Sequence, residues 1–293
     1  MLLLWKNVVA HLDDETREYI IQHRLQDRYV AIFLLSDNKA SEVYVWLKAK
    51  KAKMLWLYAD IKLGKERGKE EILEEIQRCN GDKNCVGVMV QLPLASHLWE
   101  YEMEIMNMID PEKDIDGLGS LSFWLSAFGV NNFLGATPLA SLKILEYYEM
   151  DDFVWKVVTI IWRSNLIGKP LTMELIKRGA TVITCNSKTP NAILKQSLAM
   201  SHYIFSATGQ KHLVCEKILS EETCTLYPES ISLDQKVLVD IGRGSENGKT
   251  YGDMDREYFE DKVKGITPVP GGVGPVTVSC LFNNIIWDEV WWR

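Results

Sequence analysis

The stretch Thr267-Pro-Val-Pro-Gly-Gly-Val-Gly-Pro-Val-Thr277 places three prolines and three glycines within eleven residues. Proline fixes some of the backbone angles, and glycine removes side chains, so that another molecule can approach the main chain closely. Apolar residues follow at helical spacing from Val278 to Ile286, which predicts a helix that starts at Pro275. A glycine-rich loop that runs into a helix offers unpaired N–H groups to a ligand. The stretch therefore predicts a ligand-binding loop, and the alternative is a plain turn before a C-terminal helix.

Composition limits the possible partners of the chain. Its 293 residues, 47% of them hydrophobic, are enough for one large domain or two ordinary ones. The net charge of -7 argues against nucleic acid or an anionic membrane as the main partner. No apolar run is long enough to span a bilayer, and we see no secretory signal, so we expect a cytoplasmic protein with reduced cysteines. The cysteines and histidines lack metal-ligand spacing, so no metal site is predicted.

Strand-like apolar runs alternate with helical segments, which predicts an α/β fold with parallel sheets. In the first half we predict strands at 29–35 and 86–91 and helices at 14–27, 41–60, 64–79 and 99–110. From Asp151 a doubly wound, dinucleotide-type unit is predicted, with strands at 157–161, 181–185, 203–207 and 237–241. We expect two domains with a cleft between them. The first is an N-terminal α/β domain (1–136) completed by a C-terminal helix (275–293), and the second is a Rossmann-like domain (137–266).

Several polar residues of the first domain stand where chemistry is possible. Tyr44 and Lys48 lie four apart on a predicted helix and so share one face; the alternative is a solvated surface pair. A desolvated lysine has a lowered pKa and can exchange protons, and a tyrosine can stack on a flat heterocycle. Gln91 ends a predicted strand and would face a ligand crevice, unless it is merely a polar strand end. Asp114 and Asp116 are either ligand residues or turn formers.

The loop after the first strand of the second domain reads Trp162-Arg-Ser-Asn-Leu-Ile-Gly-Lys-Pro170 and lacks a G-x-G-x-x-G pattern. Arg163 can pair with a phosphate, and Ser164 can donate to the same group. The next strand ends in Cys185-Asn-Ser-Lys188, without the acidic residue of a NAD-type site. Ser187 and Lys188 beside Arg163 suit the 2′-phosphate of NADP better.

Five motifs, in the same order along the chain, resemble those of the bifunctional methylenetetrahydrofolate dehydrogenase/cyclohydrolase family. They are Tyr44-Val-Trp-Leu-Lys48, Gln91-Leu-Pro93, Pro111-Glu-Lys-Asp-Ile-Asp-Gly117, the 162–170 loop and the 267–277 stretch. The segments Ala207-Thr-Gly209, Val239-Asp-Ile-Gly-Arg243 and Gly252-Asp253 also fit. The resemblance extends from about residue 4 to residue 286. Asn186, where the family usually has histidine, and Arg243 depart from the pattern.

This resemblance implies a homodimeric, cytoplasmic enzyme of one-carbon metabolism, which supplies purine biosynthesis. It would oxidise 5,10-methylenetetrahydrofolate to 5,10-methenyltetrahydrofolate with NADP and hydrolyse the product to 10-formyltetrahydrofolate. It further implies that the first domain is catalytic and the second binds NADP. Alternatives are an NAD(P) dehydrogenase of an amino or hydroxy acid, which has no need of the first-domain residues together, and a catalytically impaired folate-binding homologue.

The resemblance also assigns roles to residues. The implied catalytic residues are Lys48, Tyr44, Gln91 and Asp116, where Gln91 tunes the lysine and Asp116 accepts N–H groups of the pterin. The implied substrate-binding residues are Tyr44, Gln91, Leu92, Asp116, Pro270, Gly271 and Gly274. The implied cofactor-binding residues are Trp162, Arg163, Ser164, Ser187, Thr208, Gly209, Arg243 and Thr277.

One feature of the composition is unusual, because ten tryptophans stand beside only 19 glycines. Five tryptophans fall where members of the family usually carry glycine, namely Trp5, Trp56, Trp124, Trp155 and Trp162. Glycine and tryptophan are chemical extremes, so drift would rarely exchange them five times. We hypothesise that UGA codons read as glycine in the source organism were translated here as tryptophan. The alternative is a divergent homologue that is rich in tryptophan.

Overall fold

The computed structural model describes residues 1–130, 134–227, 229–246 and 248–286, which form two compact units. One unit comprises Ala10–Ala136 and the segment that begins at Val278. The other comprises Met1–Val9 and Thr137–Thr277. The sequence-based division differs, since it placed residues 1–9 in the first domain. Residues 287–293 of the predicted C-terminal helix lie outside the described ranges.

A parallel sheet of three strands forms the centre of the first unit, which we call the three-stranded unit. Its strands, in the order β2-β1-β3, are β1 (Tyr29–Leu34), β2 (Tyr58–Leu63) and β3 (Cys85–Gln91). The helices that precede or connect these strands, or follow them, are α1 (Trp5–Gln22), α2 (Lys39–Met54), α3 (Lys69–Gly81), α4 (Glu102–Met108) and α5 (Ser120–Ala127). None of the helices in the described ranges has the length and apolar composition that a membrane span needs.

Strand β1 explains why this unit folds as it does. Val30 and Ile32 lie in one apolar cluster, together with Val45 of α2. Phe33, whose side chain points to the opposite face, lies in a second cluster with Ile72 of α3. A strand that is covered on both faces reads as a continuous apolar run, so the predicted buried strand is confirmed.

The predicted helix over 41–60 is wrong from residue 55 onwards, because α2 ends at Met54 and strand β2 begins at Tyr58. Strand β2 lies at the edge of the sheet and alternates apolar with charged residues, so it lacks the apolar run by which β1 was found. Helix α5 was also not predicted, and α1 begins at Trp5 instead of residue 14.

The second unit, which we call the five-stranded unit, contains a fully parallel sheet. Its strands, in the order β10-β7-β6-β4-β5, are β4 (Val157–Ile161), β5 (Thr181–Cys185), β6 (Tyr203–Ser206), β7 (Val237–Asp240) and β10 (Gly265–Ile266). A separate hairpin is formed by β8 (Gly244–Glu246) and β9 (Lys249–Tyr251). Its helices are α6 (Ala136–Tyr147), α7 (Gly168–Lys177), α8 (Asn191–Met200), α9 (Glu221–Thr225) and α10 (Arg256–Phe259).

The order of the strands reverses direction at β4, since the chain proceeds from β4 to β5 on one side and then to β6 on the other. This is the doubly wound arrangement of dinucleotide-binding domains, and the prediction of a Rossmann-like second domain is confirmed. The N-terminal segment joins this unit because the N–H of Leu3 donates to the carbonyl oxygen of Ile266 in β10 (2.9 Å). Helix α11 (Val273–Asn283) starts in this unit, with Pro275 in its first turn, and its later residues belong to the three-stranded unit.

Candidate active site

A buried lysine and an amide meet at the carboxyl end of the three-stranded sheet. Lys48 is only 9% exposed, and its Nζ donates to Oε1 of Gln91, the last residue of β3 (2.8 Å). The side chain of Asn38 caps α2 by accepting from the N–H groups of Ala40 and Ser41, which fixes where the helix begins. The structure therefore has the contact between Lys48 and Gln91 that the resemblance implies; their catalytic roles stay predictions.

The carbonyl group of Leu92 sets the orientation of this amide. It accepts from Nε2 of Gln91 (2.8 Å) and also from the hydroxyl of Ser41 (3.3 Å). Because the amide nitrogen is engaged there, the amide oxygen is presented to Lys48. The backbone carbonyl of Leu92, a residue predicted to bind substrate, therefore holds the side-chain amide of Gln91 in place.

The electrostatics of Lys48 depend on burial and on one carboxylate. Burial lowers the pKa of Lys48, and the negative charge of Asp116 partly opposes that shift. Conversely, burial raises the pKa of Asp116, and the positive charge of Lys48 opposes that shift. A lysine whose pKa is lowered exists as a neutral amine at lower pH than usual, so it can accept a proton from water.

The two aspartates of the 111–117 loop have different environments. Asp114 is 1% exposed and accepts from the N–H groups of Gly117 (3.0 Å) and Gly119 (2.8 Å) and from the hydroxyl of Ser122 (2.7 Å). Asp116 accepts no hydrogen bond from the part of the chain that the structure describes. Asp114 therefore builds the turn, whereas the carboxylate of Asp116 is available to a ligand.

A pair of substitutions separates these two roles. Asp114→Asn replaces a buried acceptor of three hydrogen bonds, so we expect it to lower the free energy of unfolding by about 2 kcal/mol. Asp116→Asn should leave that free energy within about 0.5 kcal/mol and weaken tetrahydrofolate binding instead. Urea unfolding and folate titration of both variants test this. A folate affinity that Asp116→Asn leaves unchanged would remove Asp116 from the site.

Tyr44 lies one helical turn before Lys48 on α2 and is 37% exposed. Residues four apart on a helix share a face, so its ring borders the lysine side of α2. Its stacking on a heterocycle stays a prediction.

The predicted cofactor residues other than Thr277 lie in loops at the carboxyl edge of the five-stranded sheet. In the sheet register, Ile161 of β4 pairs with Cys185 of β5 and with Ser206 of β6, and Ser206 pairs with Asp240 of β7. The loops after these four strands consequently leave the sheet side by side. They carry Trp162, Arg163, Ser164, Ser187, Thr208, Gly209 and Arg243. The edge includes the point between β4 and β6 where the strand order reverses, which is where such sheets bind ligands.

Hydrogen bonds within the loop after β4 hold it in place. The hydroxyl of Ser164 accepts from the N–H of Ile167 (3.1 Å), and the carbonyl of Ser164 accepts from the N–H of Lys169 (3.0 Å). A Cβ atom at Gly168 would lie 1.9 Å from the carbonyl oxygen of Trp162, so only glycine fits at this close approach. The side chain of Arg163 is exposed. It can therefore reach a phosphate group at this edge.

The turn after β5 closes through Asn186. Its side-chain oxygen accepts from the N–H of Lys188 (2.8 Å), while its own N–H donates to Thr189 (3.0 Å). Ser187 and Lys188 are exposed. Because β4 and β5 are neighbours, this turn lies beside the loop that carries Arg163.

Asp253 supports the loop after β6 and was absent from the predicted site residues. It is fully buried and accepts from the hydroxyl of Ser206 (2.6 Å) and from the N–H (2.6 Å) and hydroxyl (2.9 Å) of Thr208. Its neighbour Asp240 is buried too, and burial raises the pKa of Asp240 to about 7. The sequence motif Gly252-Asp253 pointed to this residue, but a motif alone does not show which residues hydrogen-bond to it.

The stretch Thr267–Thr277 joins β10 to the first turn of α11. Gly271 has φ of 100°, in a region that side chains rarely adopt, which explains why glycine stands there. Pro270 and Gly274 are exposed, and the hydroxyl of Thr277 donates to the carbonyl of Val273 within α11 (3.2 Å). Their roles towards folate and cofactor stay predictions.

Comparison with known proteins gives a consistent result over nearly the whole chain. Residues 3–116 match the family model of the tetrahydrofolate dehydrogenase/cyclohydrolase catalytic domain, and residues 135–290 match that of its NAD(P)-binding domain. The bifunctional protein FolD of Methanococcoides burtonii is 35% identical over 282 residues, which are 96% of this chain and 92% of that protein.

Solved structures of similar proteins extend this likeness to the fold. The bifunctional enzyme FolD of Campylobacter jejuni, a methylenetetrahydrofolate dehydrogenase/cyclohydrolase, has a TM-score of 0.87 at 31% identity. The bifunctional 5,10-methylenetetrahydrofolate dehydrogenase/cyclohydrolase of Thermoplasma acidophilum has a TM-score of 0.84 at 26% identity. Both comparisons cover 97% of this chain and 96% of the other.

Proposed function

Because the chain belongs to the tetrahydrofolate dehydrogenase/cyclohydrolase family, we propose that it oxidises 5,10-methylenetetrahydrofolate with NADP and hydrolyses the methenyl product to 10-formyltetrahydrofolate. The observation that carries this proposal is the hydrogen bond from the buried Lys48 to Gln91, together with the electrostatic interaction between Lys48 and Asp116. An amino or hydroxy acid dehydrogenase has no need of this combination.

In the proposed hydrolysis, Lys48 handles the proton of the attacking water. The oxygen of water bonds to the methenyl carbon, and the neutral amine of Lys48 accepts the proton that is released. The bond from that carbon to N5 then breaks, with its electron pair going to N5. The new hydroxyl group loses its proton to become the formyl oxygen on N10, and N5 gains one proton. One water is consumed and one proton is set free. Gln91 holds the amine in place, and Asp116 accepts N–H groups of the pterin.

In the proposed oxidation, bound NADP supplies the hydride acceptor. The residues of this chain bind and orient the dinucleotide. The loops after β4 and β5 offer Arg163, Ser187 and Lys188 to its 2′-phosphate, and described residues 185–188 contain no carboxylate that would repel that group. Phosphate recognition by an arginine is charge-assisted, which favours NADP over NAD.

The preference for NADP leads to a prediction. Arg163→Ala should weaken NADP binding by roughly 10- to 100-fold and change NAD binding little, because it removes a charge-assisted partner of a phosphate that only NADP has. The titrations are made in the Trp162→Gly background, in which no indole borders the loop. Lys264→Ala, which removes an exposed charge next to the start of β10 at the amino edge of the sheet, is the control. Equal losses for NADP and NAD would mean that Arg163 does not read the 2′-phosphate.

We further propose that the folate chemistry belongs to residues 1–136 with 275–293 and the binding of NADP to residues 137–266. We also propose a cytoplasmic homodimer whose formyl product supplies purine biosynthesis. These proposals are supported by the motif resemblance, and the net charge of -7 fits a protein without nucleic acid or membrane as its partner. Sedimentation of the purified protein tests the dimer, and a monomer at working concentrations would contradict it.

A second candidate is a catalytically impaired folate-binding homologue. The observation in its favour is the indole of Trp162, 38% exposed at the carboxyl end of β4. The absorbance of NADPH in the presence of methylenetetrahydrofolate and NADP separates the two candidates.

A further inference from the structure

Three tryptophans have backbone conformations that side chains rarely adopt. The φ angles are 60° at Trp56, 61° at Trp155 and 116° at Trp162. Seven tryptophans lie in the described ranges, so three of seven have positive φ. The only other non-glycine residues with positive φ in those ranges are Arg24, Asp27, Glu149 and His212. Aspartate and histidine often tolerate this region, and Arg24 and Glu149 adopt it as single residues where α1 and α6 end. A residue as bulky as tryptophan is an outlier there.

Trp56 ends α2 in a motif that favours glycine. Its N–H donates to the carbonyl of Lys53 (3.2 Å), and the N–H of the next residue donates to Ala52 (3.0 Å). These two bonds define a Schellman motif, whose left-handed residue is usually glycine. Helix α7 ends with the same two bonds, and there the equivalent position is occupied by Gly179, with φ of 84°. The motif also ends α5, at Gly129 with φ of 71°. It ends α1 at Arg24 and α6 at Glu149, so position 56 favours glycine without requiring it.

Trp155 is the third residue of a four-residue turn before β4. The N–H of Lys156 donates to the carbonyl of Phe153 (3.1 Å), which closes the turn. A positive φ at the third position is the mark of a type II turn, which selects glycine there. The side chain of Trp155 is 92% exposed, so the indole gains almost no packing in return.

Trp162 has the most unusual backbone of the three. Its φ of 116° lies far outside the left-handed helical range of about 50–70°. The N–H of Trp162 donates to the carbonyl of Cys185 (2.9 Å), and its carbonyl oxygen lies in the space that a Cβ atom of Gly168 would fill. The backbone at residue 162 is therefore held from both sides and cannot rotate freely to suit a side chain.

We infer that positions 56, 155 and 162 are glycine positions and that the natural protein carries glycine at all three. The tryptophans then come from UGA codons that the source organism reads as glycine. This inference rests on backbone geometry and is independent of the reaction that the protein catalyses. Trp5 and Trp124 lie in helices α1 and α5 without positive φ, so their backbones do not favour glycine.

A stability comparison tests the geometric part of the inference. At positions 155 and 56, alanine and glycine both delete the indole, but only glycine relieves the left-handed backbone. Trp155→Gly should therefore melt roughly 2–4 °C above Trp155→Ala, and Trp56→Gly above Trp56→Ala. The control is Trp46, 65% exposed within α2, where the order must reverse because glycine weakens a helix. A glycine variant that melts no higher than the alanine variant at either test position would overturn the inference.

The identity of the natural residues is tested on the gene and on the protein from its source cells. We expect UGA codons at positions 56, 155 and 162, and UGG at Trp46 and Trp99. Mass spectrometry of peptides that span residues 155 and 162 should find glycine at both. Tryptophan in either peptide, or UGG at any of the three positions, would overturn the inference, whatever activity the protein has.

Discussion

Lys48→Met should reduce the hydrolysis of methenyltetrahydrofolate by roughly 10²- to 10⁴-fold, which is the usual contribution of one acid–base group. Methionine keeps most of the apolar stem of the lysine and deletes the amine that donates to Gln91. Folate binding should largely survive, because Tyr44 and Asp116 remain. The matched control is Lys50→Met, at an exposed position on the same helix. Unchanged methenyl hydrolysis in Lys48→Met would remove Lys48 from the mechanism.

The pH profile of hydrolysis gives the same prediction a second readout. Burial lowers the pKa of Lys48, so the neutral amine forms at a lower pH than for an ordinary lysine. As pH rises through that lowered pKa, the fraction of Lys48 able to accept a proton increases, and the rate should increase with it. Lys48→Met should lose this rise, whereas a substitution that only disturbs packing would lower the rate at every pH alike.

Trp162→Gly should tighten NADP binding by about tenfold or more, equivalent to at least about 1.4 kcal/mol. A dinucleotide loop needs its backbone close to phosphate or ribose oxygens, and an indole at position 162 enters that space or distorts the loop. The variant should fold, because the side chain of Trp162 is partly exposed at the end of β4.

Two further variants assign the cause of that gain. Trp155→Gly, in the turn before β4 at the amino edge of the sheet, should leave NADP binding unchanged. Trp162→Ala, which removes the indole but keeps the strained φ, should recover only part of the gain. Calorimetric titration with NADP of these three variants and of the protein with both tryptophans distinguishes the two causes. If the unsubstituted protein and Trp162→Gly bind NADP with equal affinity, the loop tolerates the indole.

Apolar runs predicted the central strands well, because strands covered on both faces must be apolar throughout. Strands β1, β4, β6 and β7 were found in this way within one or two residues of their observed ends. Strand β5 was also found, although it lies at the edge of its sheet and is partly exposed. Edge strand β2 was missed, because a half-exposed strand with charged residues is hard to distinguish from the end of the helix before it. The end of α2 was hidden as well, since the usual signal, a glycine after the last turn, is replaced by Trp56.

The candidate site shows a different limit of sequence-based prediction. The motifs named Lys48, Gln91 and both loop aspartates, but spacing alone does not tell which of Asp114 and Asp116 builds the turn. That distinction depends on hydrogen bonds from Gly119 and Ser122, which only the folded loop brings to Asp114. Asp253 supports Thr208 from 45 residues away in sequence, and such a pairing has no local pattern.

We propose that this chain couples the oxidation and the hydrolysis of folate one-carbon units and uses NADP as the oxidant. The most direct measurement follows the absorbance of NADPH and of methenyltetrahydrofolate after methylenetetrahydrofolate and NADP are added to the Trp162→Gly protein. We expect NADPH to accumulate while little methenyltetrahydrofolate builds up. When NAD replaces NADP, we expect NADH to form much more slowly. Absence of NADPH in a protein that binds NADP and folate by calorimetry would contradict the claim and favour the impaired folate-binding homologue.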